Sequence, residues 1–179
     1  MLNETLLTKE IRQWSKDVLE QPNKKFNNLP ACPFSEHTWS KDKVRVVLGK
    51  GGNWNDLIEI IENFDDTHDV VVYCGTDIDC ISAEEVEDRL RNLNEYLCKL
   101  DLYVMGSHPE EDEIEHAGSQ ENFEPIFEEA YYTVYLQRLS ILVKASDSII
   151  KKGYYKNYSS NVMKKINNRR KLWKRKRTL

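Results

Sequence analysis

Asp69-Val70-Val71-Val72-Tyr73-Cys74-Gly75-Thr76-Asp77-Ile78-Asp79-Cys80 is the stretch on which the fold turns. The unbroken apolar run Val70 to Tyr73 reads as a strand buried on both faces, and Gly75 ends it in a loop carrying Asp77, Asp79 and the thiol of Cys80. A similar run lies on each side in sequence. Val44 to Leu48 leads into Gly49-Lys50-Gly51-Gly52-Asn53, and Leu102 to Met105 leads into Gly106-Ser107-His108-Pro109. Helical patterns separate the three runs. Trp54, Leu57, Ile58, Ile61 and Phe64 share one face at helical spacing. Ser82-Ala83-Glu84-Glu85 is a capping-box sequence that opens a second helix with Val86, Leu90, Leu93, Leu97 and Leu100 inward and Cys98 in the core.

Strands alternating with helices predict an α/β protein with a small, open, mainly parallel sheet of three or four strands and right-handed crossovers. A ferredoxin-like α+β arrangement, with an extra strand from residues 24–43, is the alternative. Residues 3–20 read as an amphipathic helix, capped by Asn3 and stopped by Pro22, with Leu7, Ile11, Trp14 and Val18 on one face. A long helix is predicted from Glu124 to Lys152, with Pro125 at its first position and Gly153 at its C′ position. Ser160 is the candidate cap of a last, basic helix. The expected organisation is a single α/β domain over residues 1–159 and a basic helix or tail over 160–179.

The chain has 179 residues, 40% hydrophobic and 31% charged, as expected of a soluble globular domain. No apolar run approaches the roughly 20 residues of a membrane-spanning helix, and the start of the chain lacks the pattern of a signal peptide. The expected location is therefore the cytoplasm, with the four cysteines as free thiols or ligands rather than disulfides. Charge is unevenly distributed. Nine of the 26 Lys and Arg fall from Lys164 onward with no acid among them, which leaves 17 bases against 30 acids in the rest of the chain. The body should repel nucleic acid and the tail should attract it.

Parallel strands gather their carboxyl ends at one edge, where open α/β sheets bind ligands. That edge would collect Lys50 and Gly51 after the first strand, Cys74, Asp77, Asp79 and Cys80 after the second, and Ser107 and His108 after the third. Cys32 could join them if its loop folds over the top. Cys32-Pro33 has its own reading: proline suits the first position of a helix, which would make Cys32 the N-cap and lower its thiol pKa. Three chemistries fit such a rim. A thiol nucleophile would use Cys32 or Cys74 with His108 as base. A metal could draw on His108, Asp77, Asp79, Cys80 and His116, although no C-x-x-C or H-E-x-x-H spacing is present. Asp77 or Asp79 could do acid–base work. The glycine loop matches neither dinucleotide nor P-loop spacing, and the sequence does not specify which cofactor, if any, the chain takes.

Leu29-Pro30-Ala31-Cys32-Pro33-Phe34-Ser35 resembles the Leu-Cys-Pro-Phe-Ala signature of an uncharacterised bacterial family of small soluble proteins. Gly106-Ser107-His108-Pro109 is similar to that family's later Ser-Phe-His-Pro stretch. The resemblance spans about residues 5–150 and implies that Cys32 and His108 act as a pair. It departs after His108, where this chain has Glu110-Glu111 and then Asn122-Phe123-Glu124-Pro125 in place of the family's Asp-Tyr and Asn-Arg-Ser-Pro-Tyr-Pro elements.

Two functions, which can coexist, are thus expected. One is a small enzyme using Cys32 and His108 for thiol or acyl chemistry. The other is an accessory protein whose tail, through Arg169, Arg170, Lys171, Trp173, Lys174, Arg175, Lys176 and Arg177, binds nucleic acid, an acidic protein or an anionic membrane surface.

Overall fold

The computed structural model describes residues 3–49, 54–76, 78–110, 126 and 130–176, with Lys176 as backbone alone. Helix α1 (Glu4–Trp14) opens the chain, and the Asn3 side chain accepts from the Leu6 N–H at 3.0 Å as its cap. A π-helical turn, Ser15–Leu19, continues it. The following segment makes a two-residue antiparallel ladder, β1 (Pro22–Asn23) with β2 (Leu29–Pro30), and a short helix α2 (Ser35–Ser40). Then come β3 (Val44–Gly49), α3 (Asn55–Glu62), β4 (Val70–Gly75) and α4 (Ala83–Leu97). Both hydrogen bonds of the Ser82–Glu85 capping box are present. The chain closes with β5 (Leu102–Ser107), β6 (Tyr132–Arg138), α5 (Leu139–Ile150) and α6 (Ser160–Lys176).

The α/β class agrees with the sequence reading, but the sheet is mixed. Its order is β3-β4-β6-β5; β3 and β4 are parallel, and β6 runs antiparallel to both β4 and β5. A mainly parallel sheet is therefore corrected. The segment responsible is β6, which the sequence reading placed inside a long helix. Tyr131-Tyr132-Thr133-Val134-Tyr135-Leu136 is rich in β-branched and aromatic residues, which favour a pleated surface. Helices cover both faces of the sheet, so β6 lacks the polar alternation that marks a half-exposed strand. The extra strand thus comes from here, and residues 24–43 supply only a helical turn (Lys24–Phe26), the second strand of the small ladder and α2.

Because β6 reverses direction twice over, β3, β4 and β5 still point the same way. Val47, Val71, Tyr73, Tyr132, Val134, Leu136 and Val104 form one face, packed under α3 and α4 through Leu57, Ile61, Val86, Leu90 and Leu97. Val46, Val72, Cys74 and Tyr135 form the other, against Leu7 and Ile11 of α1. Full burial of side chains such as Leu7, Leu57 and Leu136 contributes about 1.5–3 kcal/mol each.

Strand β5 lies at the sheet's edge, and α4 completes it. Asn94, on the inner face of α4, donates from Nδ2 to the Val104 carbonyl and accepts the Val104 N–H at Oδ1, both at 2.9 Å. The amide takes the place of a neighbouring strand.

Helix α6 is not a free tail. Leu172 and Trp173 pack with Cys98, Tyr103, Leu139 and Val143. Ser159, not Ser160, provides its cap, accepting from the Val162 N–H at 3.3 Å. Gly153 turns the chain after α5 at φ +73°, a conformation that glycine adopts without steric cost. Among the described residues, no helix is long and apolar enough to cross a membrane.

Candidate functional site at the carboxyl edge of the sheet

The carboxyl ends of β3, β4 and β5 meet at one edge, beneath α3 and α4. Two tyrosines floor that edge. The Tyr73 ring lies over Gly49 and the Tyr132 ring over Gly75, so close that a Cβ at Gly75 would sit 2.1 Å from Tyr132 Cζ. Both hydroxyls are engaged. Tyr73 donates to Asp56 Oδ1 at 3.0 Å, and Tyr132 accepts from the Trp54 indole N–H at 2.8 Å. Burial, then the neighbouring Tyr132 and Asp56, push the Tyr73 hydroxyl well above its ordinary pKa, so it stays a neutral donor. Trp54 is buried at φ +59°, a left-handed conformation that costs a bulky residue about 1–2 kcal/mol. Its indole hydrogen bond and the Arg89 guanidinium 5.4 Å above the ring offset that strain.

His108 stands on this floor, one residue beyond β5, with its ring stacked on Tyr132 at 6.3 Å. It is 3% exposed. Its Nδ1 accepts from the Glu110 N–H at 3.2 Å, which leaves the proton on Nε2. That Nε2 is buried and has no hydrogen-bond partner among the described residues. A buried N–H left unpaired costs about 1–3 kcal/mol. His108 lines an open cleft of about 420 Å³ together with Asp79, Cys80, Ser82, Glu85 and Glu110, and with the apolar Ile78, Ile81 and Pro109. The volume falls within the range of small-molecule sites. The helical turn Ile78–Cys80 after β4 carries Asp79 and Cys80 into the wall, and the start of α4 brings Ser82 and Glu85. The Glu110 carboxylate lies 3.6 Å from Nδ1, where it would pair with a protonated ring. Among the described residues, no three His, Cys, Asp or Glu side chains converge closely enough to share a metal ion.

The edge therefore unites Asp79, Cys80 and His108, but other expected members lie elsewhere. Cys32 is on the opposite face. Its N–H donates to the Leu19 carbonyl at 2.8 Å, its carbonyl accepts from Ser35, and its thiol lies within electrostatic range of Tyr135 on the α1 side of the sheet. Odd and even residues of a strand face opposite ways, and in β6 Tyr132 faces His108 while Tyr135 faces Cys32. Nor does Cys32 cap a helix. Phe34 is the N-cap of α2, and burial raises the Cys32 thiol pKa against the lowering effect of the Phe34 and Ser35 backbone. Cys74 also faces α1. Burial, with Glu10 beside it, pushes its thiol up to about 12. Ser107 is exposed at the end of β5. Lys50, Gly51, Asp77 and His116 lie outside the described residues.

The basic C-terminal segment is also divided by its fold. Arg169 is 8% exposed, donating from Nη2 to Ser146 Oγ at 2.5 Å, with Met105 Sδ 3.6 Å from Nη1. Burial lowers its pKa, partly offset by Tyr103 and Tyr155. Arg170 approaches Asp147 at 3.1 Å, and Trp173 is packed among apolar residues rather than presented for stacking. Lys171, Lys174 and Arg175 face solvent. The side chain of Lys176 and all of Arg177 lie outside the described residues.

Sequence reading missed Tyr132, Trp54 and Glu85 as parts of this edge. The only available signal for Glu85 was its capping box, and Tyr132 was hidden inside an apolar segment read as helix. No family description, curated protein or solved structure matches the chain.

Proposed function

We propose that the chain is a small enzyme whose site is the cleft beyond β4 and β5, with His108 in contact with the substrate and Cys80 as its partner thiol. The observation that carries this reading is that His108, whose Nε2 is buried without a hydrogen-bond partner among the described residues, lines the same cleft as Cys80. A substrate carbonyl would satisfy that N–H. In the other tautomer, Nδ1 gives up the Glu110 N–H and donates to the Glu110 carboxylate instead, and Nε2 becomes a base. Cys80 is exposed in that cleft. In acyl transfer its sulfur would bond to the carbonyl carbon, its proton would pass to Nε2 and then to the leaving group, and water would release the acid. Cys80 replaces Cys32 in this reading, since Cys32 lies across the sheet.

Iodoacetamide alkylation of Cys80, followed against pH by mass spectrometry, tests the pairing. Near neutral pH Cys80 should react faster than a free peptide thiol, and His108→Asn should remove the excess. Identical curves for the two proteins would remove the proposed thiol–imidazole pair.

A second reading rests on a different observation: three lysines of α6, at 164, 171 and 174, are exposed and form no ion pair among the described residues. It is a non-enzymatic role in which α6 holds a polyanion.

A further inference from the structure

We infer that the outer face of α6 grips a nucleic-acid duplex by its phosphates alone, an inference that rests on the second reading above. At 100° per residue, Lys164, Lys171 and Lys174 fall on one side of α6, while Val162, Ile166, Arg169 and Trp173 fall on the other and are buried or half-buried. The fold thus sorts the basic segment. Its aromatic residue and one guanidinium hold the helix to α5 and β5, and the remaining charge forms a stripe about 15 Å long. Lys165 is set aside as well, bound to Glu87 at 2.9 Å.

The stripe's composition selects its partner. Single strands are held by bases stacked on aromatic rings, and Trp173 is turned inward against Leu139 and Val143. Asn167 and Asn168, which lie between the lysines, are polar and exposed. A duplex presents one charge per ~1.7 Å of axis, so the stripe spans about nine phosphate charges without needing a base. The acidic remainder of the chain, 17 bases against 30 acids, would repel the same polyanion at every other approach and so orient α6 towards it.

Fluorescence anisotropy of the full chain against labelled DNA and RNA duplexes, and a single strand of equal length, tests this. Three lysine–phosphate contacts give a logarithmic salt slope near −2.7, or about 40-fold weaker binding between about 50 and 200 mM salt. Lys164→Ala/Lys171→Ala/Lys174→Ala should remove that slope. Arg169→Met, which alters an inward residue, should leave duplex affinity within about twofold. Tryptophan emission should be unchanged on binding. A single strand bound as tightly as duplex, with quenched emission, would overturn the phosphate-only mode while sparing the polyanion reading. Failure to bind either nucleic acid or heparin would overturn both, and a triple variant with the original slope would move binding off this stripe.

Discussion

Replacing Asn94 by Leu should unfasten the edge strand that carries His108. Asn94 is 6% exposed and makes two hydrogen bonds, of 2.9 Å each, to the backbone of Val104. Leucine keeps the branched side-chain skeleton but can make neither bond, so the Val104 N–H and C=O are left buried without partners. Each such orphan costs about 1–3 kcal/mol. Leucine regains about 0.5 kcal/mol through its better helix propensity. The net expectation is a loss of about 1.5–5.5 kcal/mol. Urea unfolding measures it as a lowered midpoint at constant slope. Hydrogen exchange locates it, because the Val104 amide should lose protection before those of β4. Asn94→Asp keeps the acceptor for the Val104 N–H, so that amide should stay slower to exchange than in Asn94→Leu. A loss below about 0.5 kcal/mol for Asn94→Leu, within the range of ordinary surface changes, would refute the idea that this amide substitutes for a strand.

Gly75→Ala should cost about 2–4 kcal/mol, since its Cβ would meet the Tyr132 ring at 2.1 Å and displace the hydroxyl that holds Trp54. In a Tyr132→Ala background the same change should be nearly free, and additive losses in that double-mutant cycle would rule out the clash. Among the thiols, Cys80 should be alkylated first near neutral pH and Cys74 last. A thiol held near 12 in the fold, rather than 9.0, exposes about a thousandfold less thiolate. The sign follows for stability: keeping Cys74 neutral contributes fully below the ordinary thiol pKa, and the contribution fades as pH rises towards 12. Equal alkylation of Cys74 and Cys80 in the native protein would contradict its burial beside Glu10.

Local signals were legible wherever a short stretch decides its own conformation. The Asn3 cap, the Ser82–Glu85 capping box and the strands after Val44, Val70 and Leu102 need only neighbouring residues, and each is present. The expectation that the carboxyl ends of these strands share an edge also agrees with the structure, since β3, β4 and β5 point one way. What the sequence could not supply was β6. Its apolar residues fit a buried helix as well as a buried strand, and the choice depends on whether β4 and β5 each offer an unpaired edge to it.

The site divides along the same line. Chemistry-bearing residues after each strand were visible as Asp79, Cys80 and His108, because strand ends are local features. Their separation from Cys32 was not, because it depends on which face of a sheet each chain segment crosses. Sequence by itself determined α1, β3, β4, α4 and β5, the caps at Asn3 and Ser82, and the charge of the last helix. Only the tertiary structure decided that Trp173 and Arg169 turn inward and that one imidazole nitrogen is buried without a partner among the described residues. Burial is a property of the assembled layers: a residue's own pattern can favour it, but neighbours distant in sequence must provide the cover.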